Sequence, residues 1–193
     1  EISLGLVGSE MCIRDRDYMF KSWYDLVKMG VHVSIARDII NPNVGEEYTE
    51  LLIHENFLQL RKLVDNTPIY VRLRDLGSGA YRAMIFCSTI SLMKPRLVLW
   101  DDFETTLHYS LNREILGWLS RMDCQVVLST QSIDTLISIY DLGIRKARII
   151  LLKRLKNDIV QYDVLTFDEL EDLIEANNDP RKLVDMVGLG RRT

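Results

Sequence analysis

Apolar and polar positions along this chain fall into runs whose period changes from segment to segment. Between Asp17 and Ile40 apolar residues recur at helical spacing: Met19, Phe20, Trp23, Leu26, Val27, then Val31, Val33, Ile35, Ile39 and Ile40. Gly30 breaks the series, so two helices are predicted, over about 18–29 and 31–40. Asn41-Pro42-Asn43 and Gly45 close the stretch. Tyr48–Ile53 and Phe57–Leu63 read as strands or a short hairpin, and Pro68–Val71 as a further extended piece. A glycine-rich turn, Leu76-Gly77-Ser78-Gly79, then opens a strongly apolar helix from about Ala80 to Met93.

The stretch that organises the rest is RLVLWDDFETTLHYS, Arg96 to Ser110. Leu97, Val98, Leu99 and Trp100 form a continuous apolar run, the pattern of a strand buried on both faces in a parallel sheet. It ends in two adjacent carboxylates, Asp101 and Asp102. A helix over about 110–121 follows, then a second buried strand, Gln125–Ser129, ending in Thr130-Gln131-Ser132. Ile133–Tyr140 reads as a short helix. Arg148–Lys153 and Ile159–Val164 read as a strand pair turning at Lys156-Asn157-Asp158. Phe167–Ala176 is an acidic helix with Thr166 and Glu169 at capping-box spacing. No repeat, low-complexity tract or linker divides the chain.

Paired acids at the end of a buried strand point to chemistry. Open α/β sheets bind ligands at the carboxyl edge of their strands, and two bare carboxylates there are costly unless a cation or proton is shared. Mg²⁺ on a nucleotide phosphate is the common partner. The pattern is that of a Walker B strand; a strand followed by a solvated acidic turn is the plainer alternative. Around Ser78, two glycines allow close backbone approach and the helix start offers N–H groups to an anion. A simple turn with an N-cap fits the same residues.

Composition narrows the setting. The 193 residues, 47% hydrophobic and 27% charged, suit a globular domain or a piece of a larger one. A net charge of −4 argues against a broad basic nucleic-acid face. Cys12, Cys87 and Cys124 lack metal spacing, and two of them sit in apolar contexts that read as buried free thiols of a reducing compartment. No apolar run reaches membrane-span length and no signal peptide is visible, so a cytoplasmic location is expected. Residues 1–16 have no periodicity, and their end, GSEMCIRDR, resembles translated sequencing-adapter read-through; a genuine irregular N-terminus is the alternative. On the first reading the natural start lies upstream and 17–193 form the C-terminal portion of one domain. In that portion 17–47 are helical and 48–181 carry the motifs. The closing Arg191-Arg192-Thr193 reads as a frayed end or a truncation.

The glycine-serine turn, the paired acids and the Thr-Gln-Ser tip stand in a fixed order. That order resembles the C-terminal half of an ABC-class ATPase head. It is most similar to the AAA-type ATPases related to the overcoming-lysogenization-defect proteins and to the RecF and SMC heads. Leu76-Gly77-Ser78-Gly79 matches their signature turn. Asp101-Asp102-Phe103-Glu104 with Leu107-His108 matches their D-E-x-E-x-x-L-H pattern, and Thr130-Gln131-Ser132 their Thr-His/Gln-Ser switch. Asp179 and Arg181 fall where those proteins often have Asp-x-Arg. Two departures stand out: the chain contains no G-x-x-x-x-G-K-[ST], and the second acid is Asp102 where Glu is usual.

The resemblance implies an α/β fold, the C-terminal part of a P-loop NTPase with a mostly parallel central sheet flanked by helices. It implies ATP and Mg²⁺ as ligands, with Asp101 holding Mg²⁺ and Asp102 orienting or deprotonating the attacking water. Gln131 would sense the γ-phosphate or that water. Gly77, Ser78 and Gly79 would contact the γ-phosphate of ATP held by a second copy, giving a homodimer closed by ATP. Glu104 and His108 would lie near the seam; a solvated loop acid and a helix N-terminal residue are their plainer alternatives. Gln131 also fits a strand-end polar cap. A DNA or nuclease partner is left open, and no residue pattern selects either. The basic cluster Arg145, Lys146, Arg148, Lys153, Arg154 and Lys156 reads as a solvated strand-protecting edge, or else as a weak nucleic-acid footprint. Hydrolysis is expected of the full-length protein, whereas 1–193 alone is expected to bind ATP poorly and to be inactive. A non-hydrolysing, ATP-dependent regulatory module of the same fold is the alternative.

Overall fold

A computed structural model describes residues 17–105 and 107–187 of the chain. The expectations for 1–16, Cys12 and Arg191-Arg192-Thr193 lie outside the described residues. The chain divides into two compact units, 1–130 and 131–193, at a point that no shift in composition marks.

The first unit opens with helical residues 17–21, then Trp23–Lys28 (α1), Val31–Ile35 (α2), a π-helical turn Ala36–Ile40, and Asn41–Val44 (α3). Gly30 takes φ +71° between α1 and α2, so the expected break is there. The helical path runs past the predicted end at Ile40. Pro42 sits in the first turn of α3, where its missing N–H costs nothing, and Gly45 at φ +63° stops it. The Asn41 side-chain amide exchanges two 3.0 Å hydrogen bonds with the Tyr48 backbone, docking the helical segment on the sheet that follows.

That sheet is an antiparallel meander of β1 (Tyr48–His54), β2 (Phe57–Val64) and β3 (Thr67–Arg72). Its two-residue turns, Glu55-Asn56 and Asp65-Asn66, have positive φ at both positions, which matches the right-handed twist of the strands they join. α2 and the π turn pack on β1, and Ile35, Ile39, Ile40, Leu51 and Leu60 are buried. A 3-10 turn, Leu73–Leu76, leads into α4 (Ser78–Met93), which starts two residues before the predicted Ala80. Lys94 at φ +45° reverses the chain into β4 (Leu97–Trp100). α5 (Tyr109–Ser120) follows, and β5 (Gln125–Leu128) then pairs with β4 in parallel, Leu97 opposite Gln125 through Trp100 opposite Leu128.

Burial of β4 on both faces was the expectation, and the structure differs. Val98 is 5% exposed, but Leu97 is 39%, Leu99 44% and Val127 on β5 47% exposed. Successive strand residues face opposite ways. The Val98–Trp100 side is covered, with the Trp100 ring 3.7 Å from that of Phe86 on α4; the other side is open among the described residues. The expected mostly parallel sheet is likewise represented among them by this single pair, the other two sheets being antiparallel. Period and apolar run length register that a strand is built for burial, not what covers it.

The second unit holds α6 (Ile133–Asp141), the antiparallel pair β6 (Ile149–Arg154) and β7 (Val160–Leu165), α7 (Phe167–Glu175) and a 3-10 turn, Pro180–Met186. Its core joins Leu136, Ile149, Leu151, Leu165, Leu170 and Val187. The capping box at the head of α7 is complete: Glu169 N–H donates to Thr166 Oγ1 at 3.3 Å, and Thr166 N–H donates to Glu169 Oε2 at 2.8 Å. Thr166→Ala removes one of these and loosens the other. It should lower stability by about 1 kcal/mol, read as a shifted urea midpoint with an unchanged m-value; no shift would mean the box is not formed.

Candidate functional site

β4 and β5 end side by side, and four polar contacts join their tips. Ser129, the residue after β5, uses its main chain and its side chain together. Its N–H donates to Trp100 O at 2.9 Å, and its carbonyl accepts from Phe103 N–H at 3.0 Å. Its Oγ accepts from Asp102 N–H at 2.8 Å and donates to Asp101 Oδ1 in a very short contact. One serine thus holds every residue from Trp100 to Phe103.

The turn these contacts hold is tight. Asp102 adopts φ +47°, left-handed backbone that Asp and Asn tolerate better than most residues because their short side chains hydrogen-bond locally. Phe103 then dives into the core, fully buried, its ring edge-on to Trp100 at 4.8 Å and 86°. An apolar anchor immediately after the acids leaves both carboxylates exposed at the carboxyl edge of the parallel pair. The left-handed backbone supplies a physical reason for Asp at the position where the resemblance anticipates Glu.

Among the described residues no three His, Cys, Asp or Glu side chains converge to hold a metal. The donors present at the tip are the Asp101 carboxylate, with Oδ1 engaged by Ser129, and the Asp102 carboxylate beside it. Such a sparse, all-oxygen set fits Mg²⁺, which keeps several waters and takes one or two carboxylates plus substrate phosphates.

The glycine turn lies apart from this tip. Seven helical residues from Met93 back to Phe86 rise about 10 Å, as do the three strand steps from Leu97 to Trp100. The Phe86–Trp100 contact therefore means that α4 runs back along β4. Ser78, eight residues before Phe86, stands about 12 Å farther along, on the same side as the aspartates. Gly77 is the N-cap residue, at φ +104°, a conformation that excludes most side chains. Ser78 is the first helical residue rather than the cap, and among the described residues no side-chain cap bond closes this helix start. Gly79 follows within the first turn.

Glu104 is half-buried in the turn after Phe103, its carbonyl accepting from Leu107 N–H at 3.1 Å. His108 caps α5: its Nδ1 lies 3.4 Å from Ser110 N and 3.0 Å from Ser110 Oγ. That is the plainer of its two expected roles. Gln131 opens the second unit. Its carbonyl accepts from Arg181 Nη1 at 3.2 Å, and Ser132 beside it caps α6 by accepting from Asp134 N–H at 3.1 Å. Asp179 and Arg181 form a forked pair, closest at 2.7 Å. The Arg181 guanidinium holds the Asp179 carboxyl down at about 2.

In the basic cluster, Arg145 meets Asp168 at 3.2 Å and Glu171 at 3.8 Å and lies over the Phe167 ring, while Arg154 pairs with Asp158. Lys153 donates to the Asp185 carbonyl at 2.6 Å. These contacts tie the cluster to the helix and turns of its own unit. Cys87 is buried, which pushes its thiol far up and keeps it protonated; Cys124 is a partly buried free thiol. Ser129 is the site residue that sequence reasoning missed. Its signal was the equal length of two strand segments, LVLW and QVVL, which in parallel register sets Ser129 opposite Asp101.

Two outcomes follow from this geometry. Ser129→Ala removes the acceptor of the Asp102 N–H but leaves the carbonyl that holds Phe103. Hydrogen exchange should therefore quicken at the Asp102 amide by about tenfold, the value of one ordinary hydrogen bond, while Phe103 stays protected. Asp179 should titrate near 2, and in Arg181→Gln should return toward the ordinary 3.8. Because its folded pKa is depressed, its stabilising contribution is present above the ordinary value and is lost as pH falls through about 2. Side-chain carboxyl NMR shifts in both proteins check this.

No protein-family model matches the chain, and no curated protein does. Among solved structures, the chain is similar to chains of SMC ATPases. One comes from work on ATP-driven dimerization and DNA-stimulated activation of SMC ATPases. It aligns with TM-score 0.49 and 13% identity over 78% of this chain and 95% of that one. Another is the Smc head domain of Pyrococcus furiosus with an extended coiled coil, bound to the C-terminal domain of ScpA. It aligns with TM-score 0.49 and 9% identity over 87% of this chain and 41% of that one.

Proposed function

We propose that this chain is the C-terminal part of an ATP-binding and ATP-hydrolysing head of the ABC class, with a P-loop NTPase fold, working as a nucleotide-closed homodimer. One observation carries the reading: two exposed aspartates at the carboxyl edge of a parallel pair, their turn held by a serine on the neighbouring strand tip. Phosphoryl transfer needs positioned charge more than covalent chemistry, and this tip offers a carboxylate pair on a rigid support.

In this reading Asp101 would hold Mg²⁺, which would supply neutralisation of the phosphate charge. Ser129 engages Asp101 Oδ1 and so fixes the orientation of that carboxylate. Asp102 orients the attacking water or accepts its proton. Gln131 senses the γ-phosphate or the water through its amide. Ser78 and the Gly79 N–H, beside Gly77, meet the γ-phosphate of ATP on the second copy. Glu104 and His108 lie toward the seam between copies. The β- and γ-phosphates would be cradled by a loop outside these 193 residues, which contain no G-x-x-x-x-G-K-[ST].

A second reading is a head that closes on ATP without appreciable turnover. Asp102 favours it, being one methylene shorter than Glu, which draws its carboxylate back from the water by about 1.5 Å. Steady-state phosphate release by the full-length gene product, with ATP and Mg²⁺, separates the two. Under the first reading Asp102→Asn lowers kcat at least a hundredfold, the scale of a lost general base, while leaving ATP binding in place. Equal, low rates in parent and variant would remove the enzyme and leave the non-hydrolysing module.

A further inference from the structure

The contact between Arg181 and Gln131 joins residues 50 positions apart. Asp179 grips the guanidinium along one edge. Nε lies 3.0 and 3.1 Å from its two carboxylate oxygens, and Nη2 lies 2.7 Å from Oδ2. The Arg181 main-chain N–H adds a 2.9 Å bond to the same carboxylate. A guanidinium is a rigid plane, so fixing one edge fixes where the remaining nitrogen points. That nitrogen, Nη1, donates to the main-chain carbonyl of Gln131 at 3.2 Å.

The following residue is pinned as well, since Ser132 caps α6 through Asp134 N–H. Residue 131 therefore sits between a charged grip on its own carbonyl and a helix start. The Asp179–Arg181 pair is only partly buried, with side-chain exposures of 24% and 47%. Ion pairs at that exposure contribute little to stability. What this one supplies is geometry: Asp179 caps its own 3-10 turn through a main-chain bond, and the reach to Gln131 is additional to that cap.

We propose that Asp179 and Arg181 form a clasp that fixes the backbone of Gln131 and so sets the direction of its side-chain amide. The inference rests on the reading of Gln131 as the switch residue. Arg181 acts through Gln131 and is a positioning residue. Lysine keeps the charge but lacks the planar fork, so it cannot hold both the carboxylate and the carbonyl in fixed relation.

Phosphate release by the full-length gene product tests the clasp, with Gln131→Ala, Arg181→Gln and Arg181→Lys compared. A misplaced group of this kind costs about ten- to hundredfold in rate. Both arginine variants should lose that much in kcat, with KM for ATP within about twofold and an unchanged melting temperature, the pattern of an interaction needed only in the transition state. A slow Gln131→Ala beside arginine variants at the parent rate would overturn the clasp alone. Gln131→Ala at the parent rate, or a parent without turnover, would overturn the switch reading and the clasp with it. Independently of turnover, the ¹³C shift of the Gln131 carbonyl should move in Arg181→Gln, and an unmoved shift would overturn the contact itself.

Discussion

Ser129 is the constraint on which the candidate site depends. Two parallel strands of four residues each are a small platform, and main-chain pairing stops at Trp100 and Leu128. Beyond that point the chain carries two adjacent like charges, which repel and favour solvent. Ser129 extends the pairing by one residue on its main chain and adds a side-chain bridge to Asp101 Oδ1 and Asp102 N–H. Phe103, sealed in the core against Trp100, closes the turn from the other side. The acids are held from beneath by hydrogen bonds and from behind by an aromatic anchor, so their exposure is enforced rather than incidental.

The same turn accounts for a residue choice. At φ +47° the backbone is left-handed, a conformation that Asp and Asn adopt more readily than most residues. The tight stitch of the two tips and the shorter acid at position 102 therefore go together. Within the second unit, a charged pair does for Gln131 what Ser129 does for the aspartates. Arg181 reaches a main-chain carbonyl, and Asp179 holds Arg181 in the plane that lets it do so.

Local patterns made much of the architecture legible. Gly30, Gly45 and the positive-φ turns at Glu55-Asn56 and Asp65-Asn66 punctuate the chain where the sequence predicts breaks. The Thr166–Glu169 box and the turn around Lys156–Asp158 fall as expected, because each depends on residues within a few positions of one another. Helix ends were less legible. α3 continues through Pro42, since proline in a first turn does not break a helix, and α4 starts at Ser78 because Gly77 can adopt a backbone closed to other residues.

What the sequence determined alone was the order of elements, the apolar strand that ends in Asp101 and Asp102, and the glycine at position 77. These are properties of short windows, set by period, by side-chain volume and by backbone freedom. Tertiary structure decided the rest. It paired β4 with β5 so that Ser129 fell opposite Asp101, left the Leu97–Leu99 face open among the described residues, and set Ser78 about 12 Å along α4 from Phe86, the residue that meets Trp100. It made His108 a helix cap and brought Arg181 to Gln131. The physical reason is common to all of these: a contact between residues far apart in the chain depends on strand register and helix direction, which no single window contains.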